Sequence, residues 1–478
     1  MSPAIDSFGD AAARLSARLA SWFSGLGPRS PAFVVGGAVR DVLLNREASD
    51  IDLASPDPEP LARLLADARG AALVPLLKDP RVPCYRVVSR RNPEDFLDIV
   101  GLRAPDILAD LADRDFTINA MAITLGPSGP GEILDPTGGR ADLASRLVRR
   151  IFRKNLEDDP LRILRGHRFA AQLDFSVEPE TAADFAALAP LLERSAAERK
   201  AKELLLLLAS PRACREIRSM SASGVLFELF PELRTLVGVT QNEYHHEDVW
   251  NHSLSVLDRV EAVLADLTAF FGPAAAPLSD ILARDDNLAV LKLSALFHDA
   301  GKPAVKGFRA DTGSATFYGH EKESAAIAAR AARRLRLSRR SGELLSLLAA
   351  EHIHGEDLLK DGVKEKTKVS WLRRMGDDAP LELILVMADA LAKAGPRLDE
   401  PERKKRADRA SSLANAYFFI HKARFERKPL LSGRDLMALG LAPGPGLGEI
   451  LAAIQEARDA GLVANPEEAL TLARSLMK

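Results

Sequence analysis

Apolar and polar positions change their rhythm along this chain near residue 144. Ahead of that point the pattern mixes short strands with helices. Ala11 to Phe23 spaces its apolar positions as an amphipathic helix does. The run Ala32 to Val35 reads as a strand ending in Gly36-Gly37, and Ala38 to Leu44 as a helix. Asp50 to Leu53 alternates like a strand. Cys84 to Ser89 and Phe96 to Leu102 read as two more, separated by a polar turn with Asn92-Pro93. Ile107 to Met121 predicts a helix, and Glu132 to Asp135 a last short strand. Beyond residue 144 the period is helical. Asp159-Pro160 opens a helix, with Asp at the cap and Pro at the first helical position. Ala196 to Leu208 is another, and helices continue to about Leu391, interrupted by a loop at Gly272 to Pro277. Gly395 to Pro401 is a boundary before a charged helix, Glu402 to Arg427, and Pro443 to Gly446 marks a final turn. The fold class expected is α+β: a small mixed-sheet head followed by an all-α remainder.

The composition supports helices and narrows the setting. Of 478 residues, 47% are hydrophobic and only 5% aromatic, enough for packed cores but unlike a β-sandwich. Lys and Arg number 65 against 67 Asp and Glu, so a uniformly basic coat is excluded while basic patches are not. The two cysteines, Cys84 and Cys214, are far apart, which excludes a disulfide framework and a cysteine zinc site and predicts a reducing, cytoplasmic setting. No apolar run approaches the ~18 residues of a membrane span, and residues 1–30 lack a signal-peptide pattern, so no membrane partner is expected.

The segment 33–53 reads FVVGGAVRDVLLNREASDIDL. Gly36 and Gly37 let the backbone approach a ligand closely, the helix that follows offers free N–H groups to a phosphate, and Arg40 adds a fork of donors. Alone this is an ordinary strand-turn-helix. Asp50 and Asp52 change its meaning. Strand alternation places both on one face, about 6.6 Å apart by the strand rise, and such a pair calls for a cation, with Mg²⁺ the natural fit to hard oxygen ligands. A phosphate cradle beside two metal-holding carboxylates is the arrangement of phosphoryl transfer.

The pattern GGAVRD…DIDL resembles the head motif of the DNA-polymerase-β-like nucleotidyltransferases, and more narrowly the class II CCA-adding tRNA nucleotidyltransferases with their bacterial poly(A) polymerase relatives. Asp113-Arg-Asp-Phe-Thr-Ile-Asn-Ala-Met121 is similar to that family's RRDFTINAM segment, Asp158 to Arg168 to its EDPLRxLRxxRF segment, and Ala197-Glu-Arg199 with Glu203-Leu204 to its ERxxxEL segment. Asp113 and Asp158 depart from it, standing where the family usually has Arg and Glu. The resemblance implies that Asp159 and Arg162 imitate a base partner for the incoming nucleotide. A carboxylate accepts from the exocyclic amine that C and A share, an Arg donates to ring acceptors, and U or G leaves these groups unpaired. It assigns Arg165, Arg168 and Arg114 to the triphosphate and its surroundings, joined by Gly37 and Arg40, with Asp115 orienting the ribose or a neighbouring arginine. Asp98 offers a third carboxylate, near Arg103 on the same strand. The expected reaction is attack of a tRNA 3′-hydroxyl on the α-phosphorus of CTP or ATP, without a protein nucleophile.

A second constellation follows at long spacing. His252, His298-Asp299 at the end of an apolar helix, and Asp389 fall in an order that resembles the HD superfamily of metal-dependent phosphohydrolases. The donor set suits Mg²⁺, Mn²⁺ or Ni²⁺ better than structural zinc. His320, His352 and His354 lie between and are offered for a second metal or the substrate phosphate, whereas His245 and His246 read as a variable loop. The resulting layout is a helical extension (1–30), a nucleotidyltransferase head (31–143), a helical neck (144–240), an HD domain (241–395) and a tail (396–478). Basic clusters at Arg149-Arg150 with Arg153-Lys154, Arg333 to Arg340, Lys364 to Lys368 and Arg403 to Arg409 are candidates for tracking tRNA phosphates. The segments Leu431 to Leu436 and Gly440 to Gly446 resemble the tail of HD-containing tRNA nucleotidyltransferases. The rival readings are a poly(A) polymerase and a phosphohydrolase with a degenerate RNA-binding head. The choice between C and A addition is expected to depend on a loop within residues 54–85, and the oligomer is a monomer or a homodimer.

Overall fold

The computed structural model describes residues 9–26, 31–48, 50–76, 82–126, 129–241, 247–393, 399–459 and 462–477; His245, His246 and the Gly395–Leu398 part of the expected boundary lie outside them. The chain divides into two compact units, residues 1–228 and 229–478.

The first unit is built on a seven-stranded sheet. In chain order the strands are β1 (Ala32–Val35), β2 (Asp52–Ser55), β3 (Ala72–Pro75), β4 (Cys84–Val88), β5 (Phe96–Gly101), β6 (Ala122–Gly126) and β7 (Gly129–Leu134). Their spatial order is β3-β4-β5-β2-β1-β6-β7, with only β2 and β5 parallel. The described helices of this unit include α1 (Asp10–Phe23), α2 (Gly37–Leu43), α3 (Pro58–Arg69), α4 (Ile107–Ala112), α5 (Gly139–Ala144), α6 (Arg153–Asp158), α7 (Leu161–Leu173), α8 (Pro179–Leu188), α9 (Ala197–Leu208) and α10 (Ala213–Ala222). The amphipathic stripe of α1 buries Leu15, Leu19 and Trp22 and ties it to the head, where Arg18 and Trp22 both donate to Asp95.

Several expectations are corrected. The helix expected from Ile107 to Met121 stops at Ala112; a 3₁₀ turn, Thr117–Asn119, follows, and then strand β6. Strand β6, which the expected helix does not reach, is rich in strand-forming Ile and Thr and pairs on both sides, with β1 and β7. The last head strand starts at Gly129 rather than Glu132. The span 54–85, expected to hold a loop, contains α3 and β3; residues 77–81 of it lie outside the described residues. Arg103 lies beyond the end of β5, its N–H donated to Asp110. Gly272 to Pro277 is not a loop: a 3₁₀ turn runs into the helix Ala275–Leu282, with Pro277 in the first turn, where its missing N–H costs no bond. The charged helix is Glu400–Ala416, continued by a π turn, Tyr417–His421, and Lys422–Phe425. The final turn is shorter than expected, since a helix already begins at Pro445.

The second unit is almost wholly helical. The long buried helices Val249–Ala265, Asn287–Phe297, Arg339–Leu358 and Ala379–Ala392 make its centre, with a two-stranded hairpin at Gly307–Phe308 and Ala315–Thr316. The tail has its own small core of Leu431, Leu436, Ile454, Val463, Ala469 and Ala473, and Ser432 with Asp435 forms a capping box at its first helix. Among the described residues no single helix is long and apolar enough to cross a membrane.

Helix α7 packs closely against two aromatic rings. A Cβ added at Gly166 would lie 2.3 Å from Phe185 Cζ and 2.9 Å from Phe116 Cζ, so glycine is required for the close approach of the rings. Gly166→Ala should therefore lower stability by about 2 kcal/mol, read as a fall of roughly 4–8 °C in the unfolding temperature of the first unit. An unchanged melting curve would show that the aromatic pair can move aside freely.

Candidate active sites

The head site begins at the sheet's centre. Register pairs Val35 with Asp52 across β1 and β2, and Asp52 with Asp98 across β2 and β5. Val35 is followed directly by Gly36-Gly37, so the glycine turn, Asp52 and Asp98 gather at one edge of the sheet. Gly36 has φ +73°, and a Cβ there would come within 3.3 Å of Arg114 Nη1, which explains glycine at this point and brings Arg114 to the turn. Asp50 does not belong to the strand: β2 starts at Asp52, and Asp50 lies in the bend before it. The alternation still holds in burial, with Ile51 at 1% and Asp50 and Asp52 both more open. Asp98 is not an open third carboxylate. Both its oxygens accept from Arg86, at 2.7 and 3.0 Å, and Arg86 lies directly across the β4–β5 register over the Phe96 ring. The Arg86 guanidinium is held above its usual value by its bond to Asp98, with Asp50 contributing.

The arginines form a connected network. Arg40 donates to Asn119 Oδ1 at 2.8 Å, and Asn119 donates to Asp115 Oδ1 at 3.2 Å. Asp115 Oδ2 accepts from Arg165 at 2.7 Å, and Glu203 holds Arg168 at 2.6 Å and lies 3.9 Å from Arg165. Arg40, Arg165 and Arg168 all lie over the ring of Phe169, at 5.3, 5.6 and 4.1 Å. Burial alone would raise the Asp115 carboxyl, but Arg165, Asn119 and the Phe116 N–H outweigh it and hold it below the ordinary range.

Asp159 precedes helix α7 by two residues, one position earlier than the sequence predicts, because Pro160 takes the cap. Its Oδ1 nevertheless accepts from the Leu161 N–H at 3.3 Å, and its Oδ2 from Arg199 at 2.9 Å. Arg162 sets its two terminal nitrogens on the carbonyls of Arg114 and Asp113, each at 2.8 Å. That uses two of five donors and leaves three N–H groups. Burial pulls the Arg162 guanidinium down from its usual value, against Asp115 and Asp159.

In the second unit, two groups of three candidate ligands lie close together: His252, His298 and Asp389, and Asp299, His320 and His352. All six are buried. His298, His320 and His352 each face a backbone carbonyl through Nδ1, at 2.9, 2.7 and 2.9 Å. Donating there fixes the tautomer and leaves Nε2 as a lone pair aimed inward. His298 Nε2 stands 3.2 Å from Asp299 Oδ2, and the Nε2 atoms of His320 and His352 face each other at 3.1 Å. Converging lone pairs beside two carboxylates are what a divalent cation would satisfy, so the residues fit a metal. Lys302 sits 2.6 Å from Asp299, and Lys393 2.8 Å from Asp389. Burial would raise both carboxyls, but His298 with Lys302, and Lys393 with His252, hold them well below the ordinary range. His354 does not join the cluster. It is 62% exposed beside Glu351 and lines the open cleft, about 590 Å³, into which His320 and His352 face.

Arg86, Asn119, Lys302 and Lys393 were not singled out by the sequence. Lys302 and Lys393 follow Asp299 and Asp389 by one helical turn, a spacing that suits an ion pair. The basic clusters expected to follow RNA are largely engaged with carboxylates: Arg149 with Asp142, Arg150 and Arg153 with Asp184, Arg340 with Asp378, Lys366 with Glu456 and Arg409 with Asp361. Near-equal numbers of acids and bases make such pairing the default.

The head domain of poly(A) polymerases matches residues 32–149, a probable RNA- and SrmB-binding site of polymerase A matches residues 174–236, and an HD domain matches residues 249–394. The chain is 34% identical over 446 residues to an A-adding tRNA nucleotidyltransferase from Deinococcus radiodurans, covering 92% of this chain and 94% of the other. The chain belongs to the tRNA nucleotidyltransferase family. It is equally similar, 34% over 444 residues and 92% of each chain, to a CC-adding tRNA nucleotidyltransferase from Thermus thermophilus. The Thermotoga maritima CCA-adding enzyme complexed with tRNA shares the fold, with a TM-score of 0.61 and 20% identity over 99% of this chain and 98% of the other. These relatives agree with the α+β class and the head-then-helices order expected above.

Among tRNA nucleotidyltransferase residues, Asp115 is the hub of the network, and its removal tests it. Asp115→Asn leaves Arg165, 36% exposed, without its carboxylate and should cost about 2 kcal/mol at neutral pH, a buried-pair loss reduced for partial exposure. The depressed carboxyl stabilises the fold above its unfolded value of 3.8 and loses that effect as pH falls through the lower folded value. The difference from wild type in denaturant melts should therefore persist at pH 7 and narrow below pH 4; a difference independent of pH would remove the charge from the explanation.

Proposed function

We propose that this tRNA nucleotidyltransferase adds CMP, AMP or both, from CTP and ATP, to the 3′ end of tRNA without a nucleic-acid template. The observation that carries the reading is the pairing of Asp159 and Arg162 at the start of α7, with Arg165 and Arg168 on the next turns. Asp159 keeps acceptor capacity for the exocyclic amine of C or A, and Arg162 keeps three donors for ring acceptors. Arg165, Arg168, Arg40 and Arg114 supply positive charge for the triphosphate, and Gly36 and Gly37 let the backbone approach it. Asp50 and Asp52 would hold Mg²⁺, whose bound form supplies charge neutralisation at the reacting phosphate. The protein's share is positioning: the base is fixed at α7, the phosphates at the arginines, and the primer hydroxyl in line between.

We also infer that the second unit is a divalent-metal phosphohydrolase, with His252, His298, Asp299, His320, His352 and Asp389 as ligands and Mn²⁺, Ni²⁺ or Mg²⁺ as the ion. The close grouping of His252, His298 and Asp389, and of Asp299, His320 and His352, supports this. Its substrate would be a phosphate ester such as the 2′,3′-cyclic or 2′-phosphate that blocks a damaged RNA end.

Four substitutions separate these parts. Asp50→Ala and Asp52→Ala should each abolish nucleotide addition while leaving folding and tRNA binding intact; addition at a near wild-type rate would remove both from the metal role. Arg162→Ala should lose the preference for C and A over U and G by about 10²-fold or more, as expected when a hydrogen-bonding site loses its partner. A slower rate with unchanged selectivity would make Arg162 a phosphate ligand instead. His298→Ala should abolish hydrolysis and divalent-metal uptake, measured by elemental analysis, and spare addition to intact tRNA.

A further inference from the structure

The cleft of the second unit has a wall that the ligand cluster does not account for. The hairpin of Gly307–Phe308 and Ala315–Thr316 runs into Phe317 and Tyr318, and the helix His320–Arg334 starts two residues after Tyr318. Phe317 is buried, with Lys302 Nζ 5.4 Å from its ring centre. Its carbonyl accepts from the His320 N–H at 3.3 Å and faces His320 Nδ1 at 2.7 Å. This turn also packs on the end of the His298-Asp299 segment, since a Cβ at Gly301 would stand 2.4 Å from the His320 carbonyl oxygen. Tyr318 is therefore mounted between two anchored residues. It is nevertheless 77% exposed, and it lines the same cleft as Asp299, His320, His352 and Asp389. A single exposed apolar side chain needs no explanation. An aromatic ring fixed on the wall of a cleft that holds six candidate metal ligands and their phosphate chemistry does, and Arg309 and Lys360 line that cleft with it.

Resting on the reading of this unit as a metal-dependent phosphohydrolase, we propose that Tyr318 is its base-binding residue: the nucleobase beside the phosphate to be hydrolysed stacks on the Tyr318 ring. The substrate class is then a nucleoside phosphate, as at an RNA 3′ end, and not a small phosphate ester without a base. The reach fits. Tyr318 and His320 are two residues apart, at most about 7 Å between their Cα atoms, and a nucleotide extends over a comparable distance from phosphate to base. The chemistry fits as well, because an exposed ring flanked by cations is the usual platform for a single-stranded nucleic-acid base. Stacking is indifferent to base identity, since every base has a π-face. This cleft would therefore take any terminal base, whereas the hydrogen bonds proposed for Asp159 and Arg162 select C and A.

Two substrates that differ only in the base test this: adenosine 2′,3′-cyclic phosphate and methyl riboside 2′,3′-cyclic phosphate, each offered to the full-length protein with Mn²⁺. Wild type should show a KM about tenfold lower for the adenosine compound. Tyr318→Ala should abolish that difference by raising KM for the adenosine compound about tenfold, with kcat changed by less than about twofold. Tyr318→Phe and Tyr318→Trp should keep it. Phe308→Ala, on the same hairpin and 69% exposed but not lining the cleft, should keep it too. Equal KM values for the two compounds in wild type, an equal rise for both in Tyr318→Ala, or the same loss in Phe308→Ala would overturn the proposal. Failure of the underlying reading looks different: wild type then hydrolyses neither compound with Mn²⁺, Ni²⁺ or Mg²⁺. Stacking is in that case read from the fluorescence of 2-aminopurine riboside 2′,3′-cyclic phosphate, which wild type should quench and Tyr318→Ala should not. The same emission with both proteins would overturn the proposal.

Discussion

A carboxylate can be buried beside a nucleotide site only if cations hold it there, and the Asp115–Arg165 pair is where this protein meets that constraint. Asp115 comes from the loop between α4 and the 3₁₀ turn of the head, and Arg165 from α7. Their bond at 2.7 Å joins the sheet-bearing part of the first unit to the helix that carries Arg162, Arg165 and Arg168. From Asp115 the network runs through Asn119 to Arg40, which follows the glycine turn; from Arg165 it runs through Glu203 to Arg168. The glycine turn, the strand of Asp52 and the helix of Arg165 are thus set in one geometry, which under the proposed function is the preorganisation that phosphoryl transfer needs.

The same constraint shapes the second unit. Asp299 and Asp389 are each buried among imidazoles and each held by a lysine. The imidazoles are oriented by backbone carbonyls, so their lone pairs converge rather than pack as core. His167, bonded through Nδ1 to Glu216 and packed on Phe185, is a buried imidazole of the other kind: it faces a single carboxylate and an aromatic ring, with no cluster of ligands around it.

Much of this was legible in the sequence because chemistry-bearing residues sit where local pattern is strong. The glycine turn follows an unambiguous apolar strand, and α7 announces itself through Asp159-Pro160 and three arginines at threefold spacing. The His-Asp doublet ends an apolar helix. Legibility failed where tertiary pairing decided the outcome. Strand β6 follows directly on helix-like spacing, and only its pairing with β1 and β7 makes it a strand. Pro277 reads as a loop residue until the helix start at Ala275 is known. Arg86 was hidden for a related reason: it finds Asp98 through strand register, which a single sequence does not display.

The central claim is that Asp159 and Arg162, held by this network, replace a nucleic-acid template. The most direct measurement offers the protein tRNAs lacking their last one, two or three nucleotides, with all four triphosphates together, and sequences the products. The account predicts that only C and A are added, at defined positions, and that addition stops. Products ending in U or G, or in an unbounded run of A, would contradict it.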